Sequence, residues 1–135
     1  MNRREARETV FTLLYERNFQ IEEDVQAQYG LALELRELPD DTYMREVYLG
    51  VTEHQNELDE KIMVHSGTWS IPRMSKITRT ILRLSVYEML YRNDIPFNIS
   101  INEAVELAKK YEDEKAPSFI NGILNAIATK EGLKN

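Results

Sequence analysis

Residues 75–92 read Ser-Lys-Ile-Thr-Arg-Thr-Ile-Leu-Arg-Leu-Ser-Val-Tyr-Glu-Met-Leu-Tyr-Arg. At about 100° per residue, Ile77, Ile81 and Leu84 fall within about 40° of one direction. Leu82, Val86 and Met89 form a second apolar strip on the same helix. A helix that is apolar over so much of its circumference has to be covered by neighbours. The spacing therefore predicts a central helix from Ser75 to Arg92, stopped by Asp94-Ile95-Pro96.

The neighbours are helical as well. The chain has 135 residues with five Gly and four Pro, too few turn formers for a sandwich or barrel. Upstream, one helix is predicted from about Arg3 to Phe19, with Ala6, Val10, Leu13 and Leu14 on one side. A second covers roughly Glu22 to Leu35, and a long third runs from Thr42 to about His65 after Pro39-Asp40-Asp41. The turn-rich stretch Ser66-Gly67-Thr68-Trp69-Ser70-Ile71-Pro72 marks a boundary between two helical halves, about 1–66 and 67–135, within a single domain. Downstream, Ser100-Ile101-Asn102-Glu103 matches a capping box and opens a helix to Tyr111. Pro117 suits the first turn of a last helix ending near Lys130. Gly122 in mid-helix suggests a close approach by a neighbouring backbone. The fold class is all-α.

Composition excludes several functions. There is no cysteine, so no disulfide scaffold, thiol nucleophile or thiolate zinc site. His54 and His65 have no Glu-x-x-His partner, and no glycine-rich phosphate loop or Gly-x-Ser-x-Gly elbow occurs. No enzyme activity, metal or cofactor is expected. The longest apolar runs are too short to span a membrane, and the start Asn2-Arg3-Arg4-Glu5 is unlike a secretory signal, so the expected location is cytoplasmic.

The net charge of −6 hides an asymmetry. Residues 20–60 hold twelve acids against Arg36 and Arg45, whereas residues 61–135 hold eleven Lys and Arg against eight acids. On the central helix Lys76, Arg79 and Arg83 share one side, with Tyr87 a turn further on. Such a row suits single-stranded RNA, with cations for phosphates and a ring for a base; its alternative is ordinary snorkelling around a core helix. Glu88 projects from the Ile77–Ile81–Leu84 strip, where a bare carboxylate is expensive. Either an internal Arg satisfies it or that strip meets a partner. Arg4 and Arg7 lie near a helix start that disfavours cations, which points to an anionic partner. Phe119 sits about 100° from the buried stripe of the last helix, as filler or as a stacking platform.

The ordered runs Ile81–Leu90, Ile95-Pro96, Ile101–Lys109 and Phe119-Ile120-Asn121-Gly122-Ile123-Leu124 resemble the bacterial transcription antitermination family NusB. The start Arg3-Arg4-Glu5-Ala6-Arg7-Glu8 with Leu14-Tyr15 is similar to that family's arginine-rich beginning, and the resemblance covers the whole chain. It implies two three-helix bundles packed at right angles and no catalysis. It also implies pairing with a small-subunit ribosomal protein, NusE, and binding of boxA-type RNA in ribosomal RNA leader transcripts. Other Nus factors and RNA polymerase complete the assembly. By position, the resemblance gives Arg3, Arg4, Arg7 and Tyr15 an RNA-binding role, makes Phe119 the stacking aromatic and makes Glu88 the partner-contacting acid. Lys76, Arg79 and Arg83 join the RNA-binding set on helical geometry alone. Glu5 stands where relatives often carry another arginine. The same domain is also found fused to ribosomal RNA cytosine methyltransferases as an accessory RNA-binding module, and a purely protein-binding adaptor is a third reading.

Overall fold

The computed structural model describes residues 1–20 and 24–134, and among them the regular elements are all helices. They are α1 (Arg3–Arg17), α2 (Val25–Arg36), α3 (Thr42–Glu53), α4 (Gln55–Val64), α5 (Lys76–Tyr91), α6 (Phe97–Tyr111) and α7 (Ala116–Lys130), with one 3-10 turn at Ile71–Arg73. The expected start of the second helix at Glu22 lies outside the described residues.

The helix starts follow local chemistry. Asn2 accepts from the Glu5 backbone N–H at 2.8 Å, and the Glu5 carboxylate accepts from the Asn2 N–H at 3.1 Å. Glu5 thus completes a capping box and complements the α1 dipole, which accounts for an acid among the arginines. Asp24, Asp41 and Ser75 cap α2, α3 and α5 in the same way.

Three expectations are corrected. The long third helix is two helices, because His54 leaves helical geometry (φ −101°, ψ 14°) and breaks the run. The break re-aims the chain so that Leu58 and Ile62 bury completely as α4 packs on α5 and α7. Helix α6 begins at Phe97, not Ser100, since Pro96 occupies the cap position and Ser100 is interior. The Ser100 hydroxyl donates to Glu88 at 2.7 Å and so has no part in capping. Gly122 faces open space, and a Cβ there would meet no atom within 4 Å. The close approach occurs at Gly50 instead, where a Cβ would lie 2.2 Å from the Tyr87 ring.

Helix α5 is the axle, touching α1, α3, α4, α6 and α7. Every residue from Thr80 to Met89 is buried. Full burial of side chains such as Ile81, Leu82 and Val86 contributes roughly 1.5–3 kcal/mol each. The buried apolar side chains form one cluster running from Ala6 to Ala128.

Candidate nucleic-acid interface

The charged residues fall into an inner and an outer set. At the inner end, Glu88 of α5 is 1% exposed. Arg7 of α1 donates to both its oxygens, Nε at 2.8 Å and Nη2 at 3.3 Å. Ser100 of α6 donates to the same carboxylate, as does the Tyr43 hydroxyl of α3. Burial opposes the charge on Arg7, but the hydrogen bonds and charge of Glu88 outweigh it and raise its pKa. Burial, then the charge of Glu88, pushes the Tyr43 hydroxyl far up, so it stays a donor. Arg3 and Arg92 lie over the Tyr43 ring at 4.5 and 5.4 Å from its centroid.

This hub corrects two expectations. Glu88 does not face a partner protein, because its carboxylate is enclosed and its lone pairs are taken by three neighbouring helices. Arg7 is no phosphate ligand, being 4% exposed and shared between Glu88 and Glu103. A bare carboxylate at that depth would cost several kcal/mol, and a guanidinium fork is the group that satisfies it.

The α5 row is corrected as well. Arg83 is buried and bidentate to Asp59 of α4, at 2.7 and 2.9 Å. Arg79 is half-buried, donates to the Met74 carbonyl at 3.1 Å, and has its charge opposed first by burial and then by Arg83. Of that row only Lys76 is exposed, with its ammonium 5.4 Å from the centroid of the Phe19 ring. Phe19 is edge-on to the half-buried Tyr15 at 5.5 Å. Tyr87 packs inward onto Gly50.

The outer set borders two clefts. Between α1 and α6 a cleft of about 330 Å³ is lined by Arg4, Arg7, Glu8, Glu103, Glu106, Leu107, Lys109 and Lys110. Arg4 is exposed and bidentate to Glu103 at 3.0 and 2.8 Å. That hydrogen bonding from Arg4 holds the Glu103 carboxyl below its usual range. Lys110, donating at 2.6 Å, and then the Tyr111 hydroxyl lower Glu8 likewise. Where α6 ends, a groove of about 510 Å³ opens between α5 and α7, lined by residues including Trp69, Arg73, Thr78, Glu112, Lys115 and Phe119. Phe119 is half-buried against the core while also lining this groove. Trp69 is 53% exposed. The Ser75 and Thr78 hydroxyls both bond the Glu112 carboxylate and tie the start of α5 to the end of α6.

Sequence spacing missed Trp69, Arg73, Lys109, Lys110 and Lys115. Trp69 carried the best available signal, as the sole tryptophan in a turn-rich stretch where burial is hard to arrange. Among the described residues, no group of three His, Asp or Glu side chains is placed to hold a metal ion, and no helix is long and apolar enough to cross a membrane.

Comparison with known proteins agrees with this architecture. The NusB family model matches residues 4–129. The chain is 43% identical to the transcription antitermination protein NusB of Bacillus subtilis over 128 residues, covering 94% of this chain and 95% of that protein. It is 45% identical over 130 residues to the same protein of Ruminiclostridium cellulolyticum, covering 95% and 89%. The fold is similar to T. maritima NusB, with a TM-score of 0.83, 34% identity and coverage of 96% and 92%. It is also similar to a chain in the crystal structure of antitermination factors NusB and NusE with double-stranded RNA, with a TM-score of 0.82, 30% identity and coverage of 95% and 96%. The chain belongs to the NusB family.

Proposed function

We propose that this protein is a non-enzymatic, cytoplasmic transcription antitermination factor that pairs with NusE and binds boxA-type single-stranded RNA of ribosomal RNA leader transcripts. In that reading residues 1–135 act as one domain whose halves meet near residue 66, and the complex works with other Nus factors and RNA polymerase. The observation that carries it is the groove at Phe119, where two aromatic side chains and the cations Arg73 and Lys115 line one concavity. Aromatic faces stack on unpaired bases, and cations at the rim neutralise phosphates. The related NusB found with NusE and double-stranded RNA supports NusE as the partner and RNA as the ligand class.

The proposed RNA set is Arg3, Arg4, Tyr15, Lys76 and Phe119, joined by Trp69, Arg73 and Lys115. The α1–α6 cleft supports further phosphate contacts beyond the stacked base, since Arg4, Lys109 and Lys110 line it. These cations are held by Glu103, Glu106 and Glu8, so phosphates would replace carboxylates on the same donors. Filter binding of a boxA-like oligonucleotide, with and without NusE, tests the reading. Retention that rises when NusE is added supports it, and no RNA retained under either condition leaves only a protein-binding adaptor.

A further inference from the structure

On the face that carries the acidic flank, three rings meet. His54 at the α3–α4 break and Tyr87 of α5 have centroids 6.3 Å apart and planes 29° from parallel. Tyr91, one turn beyond Tyr87, stacks on both, at 4.5 Å from His54 and 5.1 Å from Tyr87, within about 22° of parallel. Those three separations put Tyr91 over the seam between the other two rings. Tyr91 remains 39% exposed. Gly50 makes the stack possible, because any Cβ there would strike the Tyr87 ring.

The charges acting on Tyr91 are those of Glu57 and Glu53, while Arg92 lies nearer Tyr87. The Tyr91 hydroxyl donates to Glu57, which pushes its pKa up to about 12 and keeps the phenol neutral. Glu53 is strongly exposed, and its nearest basic group is His54 at 4.0 Å. Among the described residues, no lysine or arginine forms an ion pair with Glu53 or Glu57, whereas Glu46 nearby is taken by Arg92. An electron-rich ring face beside two carboxylates without basic partners of that kind attracts a cation, and a planar guanidinium stacks where an ammonium does not.

We propose that the outer face of Tyr91, flanked by Glu53 and Glu57, is a docking site for an arginine side chain on an extended segment of a partner protein. It is separate from the RNA reading above and opposite to it in charge: the same carboxylates repel a phosphate backbone.

The test uses the whole chain and three probes: a blocked Gly-Arg-Gly-Arg-Gly peptide, its lysine counterpart and a five-residue uridine oligonucleotide. Ring resonances of His54, Tyr87 and Tyr91 are followed by NMR during each titration. The arginine peptide is expected to shift these rings and to bind about two- to fivefold more tightly than the lysine peptide. Tyr91→Phe should keep that preference, Tyr91→Leu should abolish it, and Glu53→Gln should weaken both peptides. Equal binding of the two peptides by the unmodified protein overturns the proposal, whatever the variants do. So does movement of these rings by the oligonucleotide in place of the peptide.

Discussion

Arg4 and Arg7 stand three residues apart on one helix and share one carboxylate, Glu103, yet they do different work. Arg7 points under the helix, where Glu88, Tyr43 and Ser100 enclose its ion pair. Arg4 lies in the mouth of the α1–α6 cleft with its guanidinium in water. The same contrast separates Arg83 from Lys76 on α5. Helical spacing tells which side of a helix a cation occupies. Depth is set by the neighbour packed there, and depth decides whether a charge holds the fold or meets a ligand.

The inner member should break most heavily. Glu88→Ala leaves the buried Arg7 with Glu103 alone and takes the acceptor from Tyr43 and Ser100, with an expected loss of about 3–5 kcal/mol, or roughly 10–20 °C in melting temperature. Thermal unfolding followed by circular dichroism measures it, and a change of a degree or two would mean that Glu88 is not the keystone of α1 docking. Arg83→Ala removes a bidentate pair that is less enclosed, since Asp59 keeps some exposure. About 1.5–3 kcal/mol is expected there, read by urea unfolding with an unchanged m-value.

Acid should act on the outer set before the fold is lost. Glu103, Glu8 and Asp94 have folded pKa values below their unfolded ones, each held down chiefly by hydrogen bonds from Arg4, Lys110 and Arg92 respectively. Their stabilisation is complete above the ordinary carboxylate range and is lost as pH falls through the folded values, for Asp94 between 3.8 and about 2. Because these pairs are largely exposed, the expected loss is below about 1 kcal/mol each and smaller in high salt. Melting temperatures across pH 2–6 at two salt concentrations check both statements; an acid loss that ignores salt would place the sensitive groups in the interior instead.

Much of this was legible in the amino acids. The helical class, the start of the third helix after Pro39-Asp40-Asp41 and the central position of residues 75–92 follow from spacing and composition alone. What was not legible has a common cause. The local pattern around Ser100 predicts a cap, but a buried carboxylate twelve residues away takes its hydroxyl. Gly122 was read as a packing contact, while the ring that needs a missing Cβ lies over Gly50, a pairing set by tertiary structure. The Arg7–Glu88 pair spans 81 residues of sequence, and no local period connects its ends. Of the candidate site, Arg3, Arg4 and Lys76 are exposed and Tyr15 and Phe119 half-buried, whereas Arg7, Arg83 and Glu88 are buried.

In the proposed function, outer cations meet phosphate, Phe119 meets a base and Arg7 meets neither. The most direct measurement is a salt titration of boxA-like RNA binding by the NusE heterodimer, for the unmodified protein, Arg4→Ala and Phe119→Ala. Arg4→Ala should leave the melting temperature within about 2 °C of the unmodified protein and lower the slope of log affinity against log salt by about one unit. Phe119→Ala should weaken binding by about 1–3 kcal/mol at every salt concentration with the slope unchanged. An unchanged slope for Arg4→Ala, together with unweakened binding by folded Phe119→Ala, would contradict the account.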